Sequence, residues 1–172
     1  MSLTKKIVLS TACLGVMASL AFAGGHAKGE FENEIKVRQA QMKLYSFNLG
    51  ILGAMAKGEV DYDAELASAS AADLLSASKL SMAAAWPQGS DNVSIEKGTR
   101  ALPAAWEKWP DIANKGKDLA AAAEIMATAA GTDLDSLRGA IGAVGDACSA
   151  CHKAYRAPVS YTHLTLPTIL LV

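Results

Sequence analysis

The sequence predicts an all-α fold, an antiparallel four-helix bundle. Glycine and proline divide its central part into four long stretches that are rich in alanine and leucine. Within these stretches apolar residues recur at steps of three and four, and none keeps the apolar-polar alternation of a strand. Helices with one apolar face each bury those faces by packing against one another, so the pattern favours a bundle.

The first 23 residues predict an export signal rather than a part of the fold. Lys5 and Lys6 form a basic start, residues 7–20 are an apolar run, and Ala21-Phe22-Ala23 is a cleavage site of the small-x-small type. The run is shorter than the roughly 20 apolar residues that span a membrane. We therefore expect cleavage after Ala23, a periplasmic location and no membrane span in the mature chain.

The carboxyl-terminal segment, residues 158–172, differs from the rest and is interpreted as a non-native tail. Its sequence VSYTHLTLPTILLV contains no Asp, Glu, Lys or Arg and resembles translated vector sequence. The remaining residues, 24–157, suit one domain. The full chain has 16 basic and 17 acidic residues, and two of the basic ones lie in the signal. This weakly acidic balance argues against a nucleic-acid partner.

The first two helices are predicted over residues 31–57 and 63–85. The first ends at Gly58, a residue suited to a left-handed cap, and the second ends at Trp86-Pro87. The inward face of the first helix is predicted to comprise Ile35, Arg38, Met42, Tyr45, Leu49 and Leu52, and that of the second Leu66, Leu74, Ala77 and Leu80.

A long connection, PQGSDNVSIEKGTRA, separates the second helix from the third. A short helical turn in LPAAWEKW is then expected to pack Trp106 or Trp109 over one end of the core. The third helix is predicted from about Pro110 to Gly131, with the inward residues Ile112, Gly116, Leu119, Ala123, Met126 and Ala130. The fourth is predicted from an N-cap at Thr132 to about Ala157, with Leu134, Leu137, Ile141, Val144, Cys148, Cys151 and Tyr155 inward.

The fourth helix contains the stretch CSACH, residues 148–152, which combines two thiols and an imidazole. On a helix the two cysteines lie one turn apart, and His152 lies one turn after Cys148. Cys-x-x-Cys can be a redox pair, half of a zinc site or, with the adjacent histidine, a haem attachment site.

Haem attachment is the chemistry that uses all three residues. A redox pair prefers a helix amino terminus in a βαβ setting, whereas this pair lies in the last third of a helix in an all-α chain. Structural zinc needs four ligands, and the other histidine of the mature chain before the tail is His26. In Cys-x-x-Cys-His the thiols add to the two haem vinyl groups and the imidazole binds the iron.

At this point the chain resembles the class II cytochromes c, the family of cytochrome c prime and its low-spin relatives. The resemblance is carried by CSACHKAYR and by VRQAQMKLYSFNLGILGAMAKGEVDYDAE, and it spans about residues 30–157. It implies a four-helix bundle with one covalently attached haem c per chain. It also implies thioether bonds from Cys148 and Cys151, an axial bond from His152, Tyr155 flanking the haem and Arg156 near its exposed proximal side.

The resemblance further implies that the first helix covers the distal face of the haem. There Arg38 would lie near a propionate and Met42 above the iron. Five-coordinate cytochromes c prime leave this iron position free, whereas their low-spin relatives bind it with methionine, and the residue type alone leaves both open. We favour Met42 as the second iron ligand, because a thioether packed beside the iron gains a bond.

This interpretation predicts a periplasmic one-electron carrier and not an enzyme, since a carrier needs neither a catalytic base nor a substrate pocket. The alternative is a five-coordinate protein that binds small gases such as nitric oxide or carbon monoxide. The sequence does not identify the redox partner proteins. The resemblance implies a homodimer through the first two helices, where the small residues expected to point outward are Ala67, Ser68, Ala71 and Ala72.

Overall fold

The computed structural model describes residues 29–95 and 97–159, and these form a bundle of helices. The helices are α1 Glu32–Lys57, α2 Ala64–Ser78, α3 Ala104–Glu107, α4 Trp109–Ala129 and α5 Leu134–Tyr155, with a 3₁₀ turn at Ala83–Ala85. The one β-type pairing among these residues is an isolated bridge between Ala101 and Arg156. The predicted all-α class is confirmed. The expected signal, residues 1–23, and residues 160–172 of the expected tail lie outside the described ranges.

Four long helices enclose the core, and each packs against two neighbours. α1 contacts α2 and α5, and α4 contacts the same two helices. The largest fully buried side chains are Leu52, Met55, Leu74, Met126, Leu137 and Val144. A smaller apolar cluster of Ala105, Ile112 and Tyr155, bordered by Trp86, Trp106 and Cys151, closes the end of the bundle at which α5 finishes. None of the described helices is long and apolar enough to cross a membrane.

α2 differs from its prediction in both length and orientation. It ends at Ser78 rather than at residue 85. At this end the Ser78 hydroxyl donates to the Leu75 carbonyl oxygen, a hydrogen bond that competes with continuation of the helix. Leu66 and Leu80, predicted inward, are exposed. The buried face consists of Ala67, Ser70, Ala71, Leu74 and Ala77. The expectation that Ala67 and Ala71 point outward is therefore wrong, whereas Ser68 and Ala72 are exposed.

The buried face of α1 is more polar than predicted. It consists of Ile35, Arg38, Gln41, Tyr45, Asn48, Leu52 and Met55. Gln41 Nε2 and Tyr45 Oη donate to the same carbonyl oxygen, that of Ala77, at 3.0 and 3.2 Å. Because these polar groups find partners, their burial is tolerated. Met42 was predicted to lie on this face, but 41% of its surface is exposed.

The boundaries of the other three long helices agree with the prediction to within two residues. α1 ends at Gly58, which adopts the expected left-handed conformation with φ 74°. Gly116 of α4 is exposed rather than inward. The N-cap of α5 is Asp133 and not Thr132, because the extended Asp133 places its carboxylate to accept from Ser136 N at 2.7 Å.

The turn after α4 packs closely against α2 through Gly131. A Cβ atom at residue 131 would lie 2.9 Å from Ser68 Cβ and 3.4 Å from the Ala64 carbonyl oxygen. Two carbon atoms do not approach as closely as the first of these distances, and the second is a contact with the backbone of α2. The absence of a side chain at residue 131 therefore sets the spacing between α2 and the end of α4.

We expect Gly131→Ala to lower the free energy of unfolding by about 1–3 kcal/mol, because the added methyl group must push α2 away. Urea unfolding of the haem-loaded protein measures this change. Gly139→Ala in α5 is the matched control: its Cβ would meet open space, so alanine should stabilise by about 0.5–1 kcal/mol. Equal stability of Gly131→Ala and wild type would contradict the close contact.

Candidate functional site

α5 presents the two cysteines to two different parts of the core. Cys148 packs against the main cluster, and Cys151 borders the smaller cluster at the end of the bundle. Both are free thiols and partly buried. The helix thus turns both sulfur atoms inward one turn apart, as the sequence predicts.

The environment of these thiols disfavours a redox role. Burial raises the pKa of both Cys148 and Cys151, and for Cys151 the neighbouring Cys148 raises it further. Reactive redox cysteines have a lowered pKa instead. Among the described residues, no group of three or more His, Cys, Asp or Glu side chains could hold a metal ion by itself.

His152 lies next to Cys151 and is partly exposed. Burial lowers its pKa, and the positive charges of Arg156 and Arg100 lower it further. The imidazole is therefore neutral at neutral pH, which is the form that binds a metal through a nitrogen lone pair.

The packing of α1 against α5 fixes which residues lie level across the pair. The Cβ direction of Gly53 meets Ile141 Cδ1 at 3.9 Å, and Arg138 Nε donates to the Ala56 carbonyl oxygen at 2.8 Å. Both contacts describe the same antiparallel register. Met42 lies eleven residues before Gly53, and His152 lies eleven residues after Ile141. Met42 and His152 therefore lie at the same level of the two helices.

The same contacts show which way these two side chains point. Eleven residues are close to three full helical turns, so Met42 shares a face with Gly53 and His152 shares a face with Ile141. Because Gly53 and Ile141 face each other, Met42 and His152 lie on facing sides of α1 and α5. Ile35 and Leu49, seven residues before and after Met42, are better covered than Met42. Met42 is thus less covered than the residues seven positions before and after it on the same side of α1.

Arg38, which lies one turn before Met42, is 6% exposed and firmly held. Its Nη1 and Nη2 donate to Ser90 Oγ and to the Ser90 carbonyl oxygen at 2.8 and 2.9 Å. Its guanidinium carbon lies 4.7 Å from the Trp86 ring centroid and 5.6 Å from that of Trp106. Burial lowers its pKa, and Glu34 opposes this. Arg38 is thus fixed by neutral groups, and a propionate partner stays a prediction.

The two residues predicted from the end of the motif lie on different sides of it. Tyr155 is buried in the smaller cluster beside Cys151, and its hydroxyl donates to the Asp111 carboxylate. This hydrogen bond, with burial, raises the pKa of Tyr155 to about 12. Arg156 is exposed, and its charge acts on His152. The placement of Arg156 near the exposed proximal side of the haem stays a prediction.

Several residues near the site were not found from the sequence. Trp86 and Ser90 hold Arg38, Asp111 holds Tyr155, and Arg100 lies near His152. Three of them, Trp86, Ser90 and Arg100, lie in the connection between α2 and α3. The unusual length of that connection was the available signal, since long ordered loops commonly have functional roles.

The residues present fit a haem c attached to α5. Two unpaired thiols lie one turn apart, with a neutral imidazole beside them. The Met42 thioether, which is partly exposed, lies on the side of α1 that faces the His152 imidazole. The buried Arg38 guanidinium lies one turn before Met42. Thioether formation, axial ligation and neutralisation of a propionate are the functions that these groups can supply.

Comparison with known proteins identifies the family. The family model for cytochrome c′ matches residues 33–156. Cytochrome c-554 of Cereibacter sphaeroides is 42% identical over 127 residues, which cover 74% of this chain and 95% of that protein. A solved cytochrome c′ from Rhodobacter is 32% identical with a TM-score of 0.72, covering 75% of this chain and 98% of its own.

A second solved cytochrome c′, described as having an unusual ligand-controlled dimer dissociation, is 30% identical with a TM-score of 0.68 and covers 77% of this chain and 100% of its own. These similarities span the bundle and its Cys-x-x-Cys-His motif. The chain therefore belongs to the class II cytochromes c, the cytochrome c′ family, and carries covalently bound haem c.

Proposed function

We propose that this protein is a one-electron carrier in which His152 and Met42 are the two axial ligands of the haem iron. The observation that supports this proposal is the register of α1 and α5, which brings these two side chains to one level on facing sides. When bound, haem supplies one electron per cycle between its ferric and ferrous states.

The proposed roles of the other residues follow from their positions. Cys148 and Cys151 anchor the haem to α5 through thioether bonds, so the His152 imidazole stays beside the iron. Arg38 is already fixed and charged, so it can neutralise a propionate without being reorganised. None of these functions is a catalytic step, and we propose that the protein is not an enzyme.

A five-coordinate gas-binding protein is the second candidate function. Its support is that 41% of the Met42 surface is exposed, so neighbouring side chains do not hold the thioether in one position. A distal methionine that stays away from the iron would leave a position for nitric oxide or carbon monoxide. The two candidates differ in the coordination of the iron and are therefore separable by spectroscopy.

We also propose that the mature protein is periplasmic and forms a homodimer. The export-type start at residues 1–23 supports the location. For the dimer, α1 exposes Val37, Leu44 and Phe47, the last at 66%, on one side of the helix. Three large apolar side chains on one exposed side favour pairing through α1.

Phe47→Asp is expected to convert the dimer to a monomer, because it places a charge in the proposed contact. Analytical ultracentrifugation of the haem-loaded protein measures the mass. Val93→Asp is the matched control, since Val93 is 75% exposed but lies in the connection after α2. A wild-type protein that is monomeric at about 100 μM would contradict the dimer.

Covalent attachment predicts that haem remains on the wild-type chain after acid-acetone extraction. Cys148→Ser combined with Cys151→Ser should yield a protein with little haem after extraction, because neither thioether bond can form. Mass spectrometry and the absorbance of the extract measure this retention. Ser149→Ala, between the two cysteines, is the control and should keep its haem. Release of free haem from the wild type would contradict thioether bonds at these residues.

Met42→Leu removes the sulfur atom and keeps a side chain of similar size. We expect the ferric iron to become high-spin, the ferrous iron to bind carbon monoxide and the reduction potential to fall, because thioether ligation raises the potential. Optical and electron paramagnetic resonance spectra measure the spin state. Met126→Leu, a buried methionine of α4, is the control and should leave the spectra unchanged. A Met42→Leu protein that stays low-spin would contradict ligation by Met42.

A further inference from the structure

A short stretch of the connection between α2 and α3 pairs with the end of α5. Leu102 N donates to the Tyr155 carbonyl oxygen at 2.9 Å, and Ala157 N donates to the Arg100 carbonyl oxygen at 2.8 Å. Between these two bonds, Ala101 and Arg156 form the isolated antiparallel bridge. Residues 100–102 are therefore a strap across the end of the helix that contains the haem motif.

The Arg100 side chain reinforces this strap. Its Nε donates to the Ala157 carbonyl oxygen at 2.9 Å, and its Nη2 donates to the same oxygen. The side chain is half-buried, and it forms no salt bridge among the described residues. A guanidinium with two donors on one acceptor is restricted in position, so its positive charge stays near the end of α5.

The position of this charge relative to the site is set by the strap. Arg100 acts electrostatically on the His152 imidazole, as does Arg156. The opposing carboxylate is that of Asp111, which accepts from Tyr155 and acts on Cys151, where the larger effect of Lys115 opposes it. Two arginines thus lie on the His152 side, and the acid lies on the Cys151 side.

We propose that Arg100 tunes the reduction potential: the strap fixes its positive charge beside His152, where it favours ferrous over ferric haem. The ferric state has one more positive charge than the ferrous state, so a fixed nearby cation disfavours it. Arg100 does this as a positioning element of the chain and needs no bond to the iron.

The test compares midpoint potentials of the haem-loaded wild type, R100Q, R100K and K57Q, by spectroelectrochemical titration at one ionic strength. K57Q is the control for loss of a distant positive charge. Lys57 is an exposed cation in the last turn of α1, and it lies fifteen residues from Met42, about 22 Å along the helix from the level of His152. At that distance salt screens its charge.

We expect R100Q to shift the ferric-to-ferrous equilibrium about three- to tenfold toward the ferric state, where tenfold is 59 mV for one electron. K57Q should shift it less than about twofold. R100K keeps the charge but loses one hydrogen bond to Ala157, so its potential should match the wild type or lie between it and R100Q. Should R100Q not retain haem, R100M is the neutral variant in its place and should show the same shift toward the ferric state.

Two results would overturn the proposal. One is a midpoint potential of the neutral variant, R100Q or R100M, equal to that of K57Q. The other is an R100K potential as low as that of the neutral variant. The inference rests on His152 as an axial ligand. Failure of that premise would appear in the wild-type spectrum as an iron without histidine ligation. Failure of the Arg100 inference would leave that spectrum intact and only make the potentials equal.

Discussion

The antiparallel register of α1 against α5 is the constraint on which the site depends. It is fixed about three turns away from the site, by Gly53 against Ile141 and by the Arg138 side chain on the Ala56 carbonyl oxygen. A slip of one turn would move Met42 about 5.4 Å along α1 relative to His152 and would place a different side chain opposite the imidazole. The level of Met42 relative to His152 is therefore set by helix packing in the core and not by the motif alone.

The polar side chains on the buried face of α1 also prepare the site, because they already have partners within the protein. Gln41 and Tyr45 share the Ala77 carbonyl oxygen, and Arg38 is held by Ser90 beside two tryptophan rings that contact each other. Buried polar groups that are satisfied in this way specify one arrangement of the helices. The cost of burying the Arg38 charge is offset before any propionate arrives, so haem binding need not include that cost.

α5 could be predicted almost completely from the sequence, and α1 only in part. In α5 the steps of three and four are unbroken from Leu134 to Tyr155, and the three residues of the motif are chemically distinctive. In α1 the burial of Gln41 and Asn48 could not be predicted, because a hydrophobic pattern does not show that Ala77, on another helix, provides an acceptor for Gln41. Because Gln41 and Asn48 are buried, Met42 lies at the edge of the buried face of α1. The prediction had placed it within that face.

α2 was predicted least well because its composition contains little information about orientation. Alanine and serine occur all around the helix, so the two leucines at residues 66 and 80 dominated a pattern that packing does not follow. The close approach of Gly131 to Ser68 decides the orientation instead, and this contact joins residues far apart in the chain. The partners of Arg38 and His152 in the connection after α2 were missed for the same reason.

The near-infrared absorption spectrum of the ferric wild-type protein tests the central claim most directly. If the register of α1 and α5 gives His152 and Met42 as the two axial ligands, the spectrum should be that of low-spin haem with a weak sulfur-to-iron charge-transfer band. A high-spin spectrum without that band would contradict the account, because it would show that Met42 lies level with the iron and does not bind it.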